Sequence, residues 1–189
     1  MLEAFLVSTA VVALGEIGDK TQLLALLLAA RFRQPRPIIL GILVATLANH
    51  AGASLLGAWL ARVVDPQWMR WMLGGSFLAV AAWMLVPDQA DGLDSGNTSR
   101  FGVFGATTVA FVLAEMGDKT QIATVMLAAR YESLVAVTAG TTLGMMIANV
   151  PAVLLGDQVV QKVPVRWVHR IAAVAFASIG VAVLAGLQV

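Results

Sequence analysis

The chain has 189 residues, of which 59% are apolar and only 12% charged, and its mean hydropathy is +0.85. Soluble domains are about a quarter charged and under half apolar, so this composition excludes an ordinary soluble domain and predicts an integral membrane protein. The absence of cysteine excludes disulfide frameworks, thiol nucleophiles and thiolate metal sites, and the net charge of +1 argues against a nucleic-acid partner.

Six apolar segments have roughly the 20 residues that a membrane-crossing helix needs. They are residues 4–30, 37–61, 68–87, 103–129, 133–155 and 167–187. The polar stretch 88–100 is rich in Gly, Ser and Asp, so we expect a central loop there. This stretch contains three acidic residues, Asp88, Asp91 and Asp94. They either gather cations at the entrance to a cation path or belong to a solvated linker. The loop divides the chain into two three-helix repeats, 1–87 and 101–189.

The two halves repeat one another. Residues 16–22 read E-I-G-D-K-T-Q, and residues 115–121, which lie 99 positions later, read E-M-G-D-K-T-Q. Because each unit has an odd number of spans, the second copy must enter the membrane from the opposite face. The predicted fold is therefore all-α, with six transmembrane helices arranged as two inverted three-helix repeats. In this arrangement we expect the two motifs to face one another.

Loop charges predict the orientation, because Lys and Arg in short loops favour the cytoplasmic side. Seven basic residues lie around the first, third and fifth loops, against three on the other side, Arg62, Arg70 and Arg130. The seven are Arg31, Arg33, Arg36, Arg100, Lys162, Arg166 and Arg170. We therefore expect a multi-pass protein of the cell membrane with both termini on the outer side.

Six charged side chains fall near the middle of the first and fourth spans, far from either membrane surface. A charge at that depth costs about 2.5–3.5 kcal/mol on insertion scales, so four carboxylates there indicate a function. Carboxylate oxygens suit hard divalent cations such as Ca²⁺, Mg²⁺ or Mn²⁺. The predicted metal ligands are Glu16, Asp19, Glu115 and Asp118. The two positively charged side chains of the motifs are Lys20 and Lys119.

Other residues of the two motifs are expected to support the cation path. The glycines allow close helix approach, a local helix break, or access of an ion to backbone carbonyls. The supporting residues are Gly18, Lys20, Thr21, Gln22, Gly117, Lys119, Thr120 and Gln121. A purely structural alternative is that each Glu pairs with the Lys four residues later on the same helix.

Amides and histidines outside the motifs are weaker candidates. Asn49 and Asn149 occupy equivalent positions and either provide amide oxygens to the cation or form hydrogen bonds between helices. His50 has no counterpart in the second half and is interpreted as structural, while His169 is expected at the membrane interface.

The charges of the site suggest an exchange mechanism. Four carboxylates and two ammonium groups sum to −2, which one divalent cation would cancel. An empty, fully ionised site is strained in a low dielectric, and protons are the obvious substitute for the departing cation. The charge balance therefore favours exchange of a divalent cation for protons.

The repeated E-x-G-D-K-T string in a six-span protein resembles the Gdt-type calcium/manganese transporter family. Both motifs match in full, and the resemblance covers all six spans and the central loop. It implies a cation/proton antiporter whose two motifs form the cation path, with Mn²⁺ as the first expected substrate and Ca²⁺ as the second. The implied partners are the transported ion, protons and the lipid bilayer. No resident cofactor is implied, and a homo-oligomer is possible but not indicated.

Two other functions compete with this interpretation. A six-span exporter of amino acids or other small organic solutes, of the lysine-exporter type, also has inverted halves, but four clustered acids do not suit an organic substrate. An intramembrane metal-dependent hydrolase would need dissimilar acid and base partners, whereas the acids here are duplicated symmetrically. No H-E-x-x-H or G-x-S-x-G string occurs in the sequence, so we do not expect an enzyme.

Overall fold

The computed structural model describes residues 1–85, 102–155 and 165–186. In this part of the chain eight helices and no strands are found, which confirms the predicted all-α class. The helices are α1 (Leu2–Glu16), α2 (Lys20–Phe32), α3 (Pro35–Val63), α4 (Pro66–Trp83), α5 (Gly102–Glu115), α6 (Lys119–Tyr131), α7 (Leu134–Leu155) and α8 (Val165–Leu184). The predicted central loop, with Asp88, Asp91 and Asp94, lies outside the described residues.

The first and fourth predicted spans are not continuous helices. Each consists of two shorter helices, α1 and α2 or α5 and α6, and the division falls within the repeated motif. Three of the helical segments are long and apolar enough to cross a membrane: Pro35–Val63, Leu134–Leu155 and Arg166–Leu184. All five tryptophans are exposed on the outside of the bundle, where a belt of membrane-interface aromatics would lie.

Helices of the two halves are interlocked. α1 packs mainly against α7, and its counterpart α5 packs against α3, so the first helix of each half is held by the other half. Small residues make these contacts close. A Cβ atom on Gly140 would lie 2.5 Å from the carbonyl oxygen of Phe5, and one on Gly41 would lie 2.9 Å from that of Phe104. Neither half therefore has a complete core of its own.

Contacts between helix ends define two opposite ends of the bundle. At one end the Tyr131 hydroxyl donates to Glu3 near the N-terminus, at 3.4 Å. A cavity of about 310 Å³ at this end is lined by Val64, Glu132 and Gly186, which follow α3, α6 and α8. At the other end Leu28 and Ile38 join one apolar cluster with the end of α7 and the start of α5. The links at 64–65 and 132–133 thus share an end with both termini of the described chain.

Gly57 marks the closest approach of α3 to α6, and its replacement tests this packing. A Cβ atom there would lie 2.1 Å from the carbonyl oxygen of Val125. We expect Gly57→Ala to force the helices apart and to lower the free energy of unfolding by roughly 1–3 kcal/mol, a typical overpacking cost. Thermal unfolding of the purified protein in detergent, followed by tryptophan fluorescence, measures this loss.

Gly52 is the matched control, because it lies on the same helix and a Cβ there meets nothing within 4 Å. Gly52→Ala should leave the unfolding temperature unchanged or raise it, since Ala is the better helix former. Equal losses in the two variants would contradict the close α3–α6 contact.

Candidate cation site

A tight turn interrupts the first span at the motif. α1 ends at Glu16, Ile17 has φ −65° and ψ 115°, and Gly18 has φ +84°. The amide of Asp19 donates to the Glu16 carbonyl at 3.1 Å. These angles and this bond describe a type II turn, whose third residue needs the positive φ that glycine adopts without strain. The glycine therefore produces a local helix break, one of the three roles that its sequence position left open.

The second motif repeats the same turn. Gly117 has φ +77°, and the amide of Asp118 donates to the Glu115 carbonyl at 3.1 Å. In both halves the Asp that follows the glycine is the N-cap of the next helix. The side-chain oxygens of Gln22 and Gln121 accept the amides of Gly18 and Gly117, at 2.9 and 2.7 Å. The string E-x-G-D-K-T-Q thus encodes a helix end, a turn and a helix start.

The turn corrects one geometric expectation. In the purely structural alternative, Glu16 would pair with Lys20 four residues later on one continuous helix. That helix does not exist, because α1 ends at Glu16 and α2 begins at Lys20. The acids nevertheless converge, since the turn folds Asp19 back towards the helix end.

The two motifs meet inside the bundle. One ligand oxygen from each of Glu16, Asp19 and Asp118 lies within 4.8 Å of the others, and all three residues are buried. Glu115 is also buried, and its charged neighbours are Glu16, Asp118, Asp19 and Lys20. The structure therefore brings carboxylates of both halves together, with three of the four predicted ligands in one compact cluster.

The lysines pair across the halves. Lys119 Nζ lies 2.5 Å from Asp19 Oδ1, and Lys20 Nζ lies 3.1 Å from Asp118 Oδ1. Each motif thus supplies its ammonium group to the aspartate of the other motif. The N-termini of α2 and α6 carry partial positive charge beside the same two aspartates, which further stabilises these carboxylates. The same-helix Glu–Lys pairing is not formed.

Each glutamate of the two motifs has one carboxylate oxygen that accepts no hydrogen bond from the described residues. The Thr21 hydroxyl donates to Glu16 Oε2 at 2.8 Å, and the Thr120 hydroxyl lies 3.5 Å from Glu115 Oε2. Among the described residues, Oε1 of Glu16 and Oε1 of Glu115 are buried without a hydrogen-bond donor. Buried acceptors normally have a partner, so these oxygens are available to a cation.

The two asparagines differ in their surroundings. Asn49 donates from Nδ2 to the Val112 carbonyl of α5 at 3.2 Å, so it forms a hydrogen bond between helices. Asn149 donates to the Met145 carbonyl of its own helix at 3.1 Å, and its Oδ1 is buried without a donor in the described chain.

His169 is a site residue that sequence reasoning missed. Its Nε2 lies 2.9 Å from the carbonyl oxygen of Ile17, inside the first turn. No spacing signal in the sequence connects these positions, because the contact depends on how α8 packs. His50 is buried, and neither ring nitrogen has a partner among the described residues.

The carboxylate cluster and the apolar helices describe a class of protein: a helical membrane protein with buried acidic residues clustered between two broken helices. The family model "Divalent cation/proton antiporter GDT1" matches residues 4–92 and 103–188. The chain therefore belongs to the GDT1 family of divalent cation/proton antiporters, a transporter family and not an enzyme class.

Several known proteins are similar along nearly the whole chain. A Vibrio cholerae protein named "Putative manganese exporter" is 49% identical over 92% of this chain and 86% of its own length. "GDT1-like protein sll0615" of Synechocystis is 29% identical over 93% and 94% of the two chains. "GDT1-like protein 3" of rice (Oryza sativa) is 28% identical over 93% of this chain and 71% of its own. No solved structure matches the chain.

Unequal burial of the two lysines predicts unequal effects on stability. The Lys119 side chain is 0% exposed, whereas that of Lys20 is 27% exposed. Lys119→Met leaves Asp19 buried beside an apolar group, and breaking such a pair costs about 3–5 kcal/mol. Lys20→Met should cost clearly less, because water reaches that pair. Thermal unfolding in detergent compares the two variants.

A double variant separates the ion pair from simple packing. Asp19→Asn combined with Lys119→Met removes both charges, so we expect it to recover much of the stability lost in Lys119→Met alone. Additive losses in the double variant would show that the two side chains are not coupled.

Proposed function

We propose that this protein is a multi-pass transporter of the cell membrane that exports Mn²⁺, with Ca²⁺ as second substrate, in exchange for protons. The observation that carries the proposal is the meeting of Glu16, Asp19 and Asp118 from both halves within 4.8 Å in the buried interior. Membership of a divalent cation/proton antiporter family supports the reaction type. The 49% identical relative, which bears the name "Putative manganese exporter", supports Mn²⁺ as the first substrate.

The proposed architecture is six membrane crossings in two inverted repeats. Two observations support it. The motif is duplicated, and the links at 64–65 and 132–133 lie at the same end of the helix bundle as the first and last described residues. The broken helices would form the first and fourth crossings. Irregular backbone at membrane depth is tolerated where it lines a site inside the protein, as in other transporters with discontinuous helices.

The arrangement of charges suggests how the exchange proceeds. The four carboxylates and two ammonium groups sum to −2, and without a cation Lys119 and Lys20 hold the two aspartates. An entering divalent cation would be coordinated by these aspartates and by the Oε1 atoms of the two glutamates. It would repel the two ammonium groups. When the cation leaves, protons replace its charge. A near-neutral carrier then avoids the cost of moving charge across the membrane, about 2.3 kcal/mol per charge per 100 mV.

Export of amino acids or other small organic solutes is the alternative. Three carboxylate oxygens within 4.8 Å leave room for an ion but not for an organic molecule among them, and the family match also favours the cation. Proteoliposomes containing the purified protein test both substrates, with Mn²⁺, Ca²⁺ and Mg²⁺ compared with lysine and other amino acids.

Neutralising one aspartate of the cluster should stop transport. Asp19→Asn and Asp118→Asn remove a ligand charge at nearly constant volume, and we expect each to reduce Mn²⁺ transport in proteoliposomes by at least about tenfold, a loss of about 1.4 kcal/mol or more. Asp65→Asn is the matched control, because Asp65 caps α4 far from the cluster and Asn caps helices equally well. Normal transport in both cluster variants would return the motifs to a structural role.

Transport should follow the pH gradient. At zero membrane potential, an imposed gradient is expected to drive Mn²⁺ against protons, with the proton flux reported by a pH-sensitive dye inside the vesicles. The charge balance of the site requires this coupling, because the carboxylates repel one another when the cation leaves. Full Mn²⁺ flux after collapse of the gradient, or flux that responds only to voltage or sodium, would contradict proton exchange.

A further inference from the structure

The peptide unit between Ile17 and Gly18 lies at the middle of the first turn, and side chains hold both of its polar groups. Its N–H donates to Gln22 Oε1 at 2.9 Å, and its carbonyl oxygen lies 2.9 Å from His169 Nε2. Because a carbonyl only accepts hydrogen bonds, Nε2 of His169 carries the proton in this contact. Gln22 in turn donates from Nε2 to the Ala148 carbonyl of α7 at 2.9 Å. The first turn is therefore tied to α7 and to α8.

Glycine alone does not select the conformation of this turn. A flip of the Ile17–Gly18 peptide would convert the type II turn into a type I turn, in which the third residue has a negative φ. Gly18 adopts either conformation without strain, because it has no Cβ atom. The Ile17 carbonyl also lies just beyond the end of α1, where carbonyls have no partner within the helix. A donor from another helix therefore fixes the direction of this carbonyl, and His169 is that donor.

The second turn is held differently. The Gly117 N–H again donates to a glutamine, Gln121, but this glutamine is half-buried and lines a cavity of about 380 Å³ between α3 and α6. Arg70 lies 99 positions before His169, the same spacing that separates the two motifs. Its side chain lines the cavity at the end of the bundle, and Met116 of the second turn is 63% exposed. Arg70 therefore does not give the second turn the contact that His169 gives the first.

The turn that His169 holds is also the one that brings both of its acids into the compact carboxylate cluster. Glu16 and Asp19 lie on either side of the held peptide, and their ligand oxygens lie within 4.8 Å of each other and of Asp118. The second motif contributes Asp118 alone to this group of three. Groups that orient metal ligands without touching the metal typically change its affinity by about 10–100-fold when they are removed.

We infer that His169 is a positioning residue of the cation site. By donating to the Ile17 carbonyl, it holds the first turn in the conformation that presents Glu16 and Asp19 to a divalent cation. The inference rests on the proposed function for its ligand and on the hydrogen bond for its geometry. His169 needs no change of protonation in this role, because one neutral tautomer and the charged imidazolium both carry a proton on Nε2.

Two substitutions of His169 separate the hydrogen bond from the presence of a polar side chain. The amide nitrogen of Gln is as many bonds from the backbone as Nε2 of His, so His169→Gln keeps a donor for the Ile17 carbonyl. The amide nitrogen of Asn is one bond closer to the backbone, so His169→Asn stays polar but does not reach the carbonyl. Arg70→Gln and Arg70→Asn are the matched controls at the equivalent position of the other half, because Arg70 lines the cavity at the end of the bundle.

We expect His169→Asn to raise the KM for Mn²⁺ transport in proteoliposomes roughly tenfold, with the maximal rate changed much less, because the released turn binds the cation less tightly. His169→Gln should restore most of the affinity and keep the pH dependence of transport, and both Arg70 variants should match the parent. An unchanged KM in His169→Asn, or an equal loss in His169→Gln, overturns the inference. So does an altered pH profile in His169→Gln, since Gln does not titrate and the histidine would then carry protons. If His169→Asn does not fold, the KM and pH profile of His169→Gln decide alone.

Hydrogen–deuterium exchange in detergent tests the hold on the turn without any cation. The backbone amides of Gly18 and Asp19 should exchange roughly tenfold faster in His169→Asn than in the parent or in His169→Gln, because the turn opens more often. Equal exchange rates in the three proteins would overturn the inference. If Asp19→Asn and Asp118→Asn still transport Mn²⁺, the proposed function fails, and the exchange rates still decide whether His169 holds the turn. If those two variants lose transport while His169→Asn keeps its KM for Mn²⁺, only the role of His169 is wrong.

Discussion

Charge neutralisation across the two halves is the constraint on which this structure depends. Lys119 and Asp19 are both fully buried, and each finds its counter-charge in the other repeat. A buried charge without a partner is far more costly than a paired one, so the halves must meet at these side chains. The interlocked packing of α1 against α7 and of α5 against α3 holds the two turns in the register that this pairing needs.

The turn explains how so short a string fulfils several requirements. Gly18 and Gly117 end one helix, and the aspartate that follows starts the next, so the acidic groups, the free helix ends and the lysines all meet in one place. A continuous helix would place Glu16 and Lys20 along one face and leave no irregular backbone near the carboxylates. The helix break therefore converts a linear motif into a three-dimensional site.

Composition and the duplicated string predicted the all-helical class, the positions of the helical segments and the approach of the two motifs, because these depend on local hydropathy and on the repeat. A helix break was only one of three roles that the sequence allowed for the motif glycines. The apolar run 4–30 reads as one continuous span, so the glycine and the N-cap Asp within it do not by themselves indicate that the helix ends there. The role of His169 was not predictable, because its contact with Ile17 joins residues 152 positions apart through packing alone. The difference between Gln22 and Gln121 was equally hidden, since their motifs are nearly identical and only their neighbours differ.

Cross-pairing also has a consequence for biosynthesis. Lys119 is translated 100 residues after Asp19, and Asp118 follows Lys20 by 98, so the ribosome delivers the first motif before either of its partners exists. Until the second motif has been translated, the nascent first half holds a glutamate, an aspartate and a lysine without their final charged neighbours. The insertion machinery, or the Glu16 and Lys20 side chains themselves, must accommodate these charges in the interval, and the native bundle assembles only when the second half has been inserted.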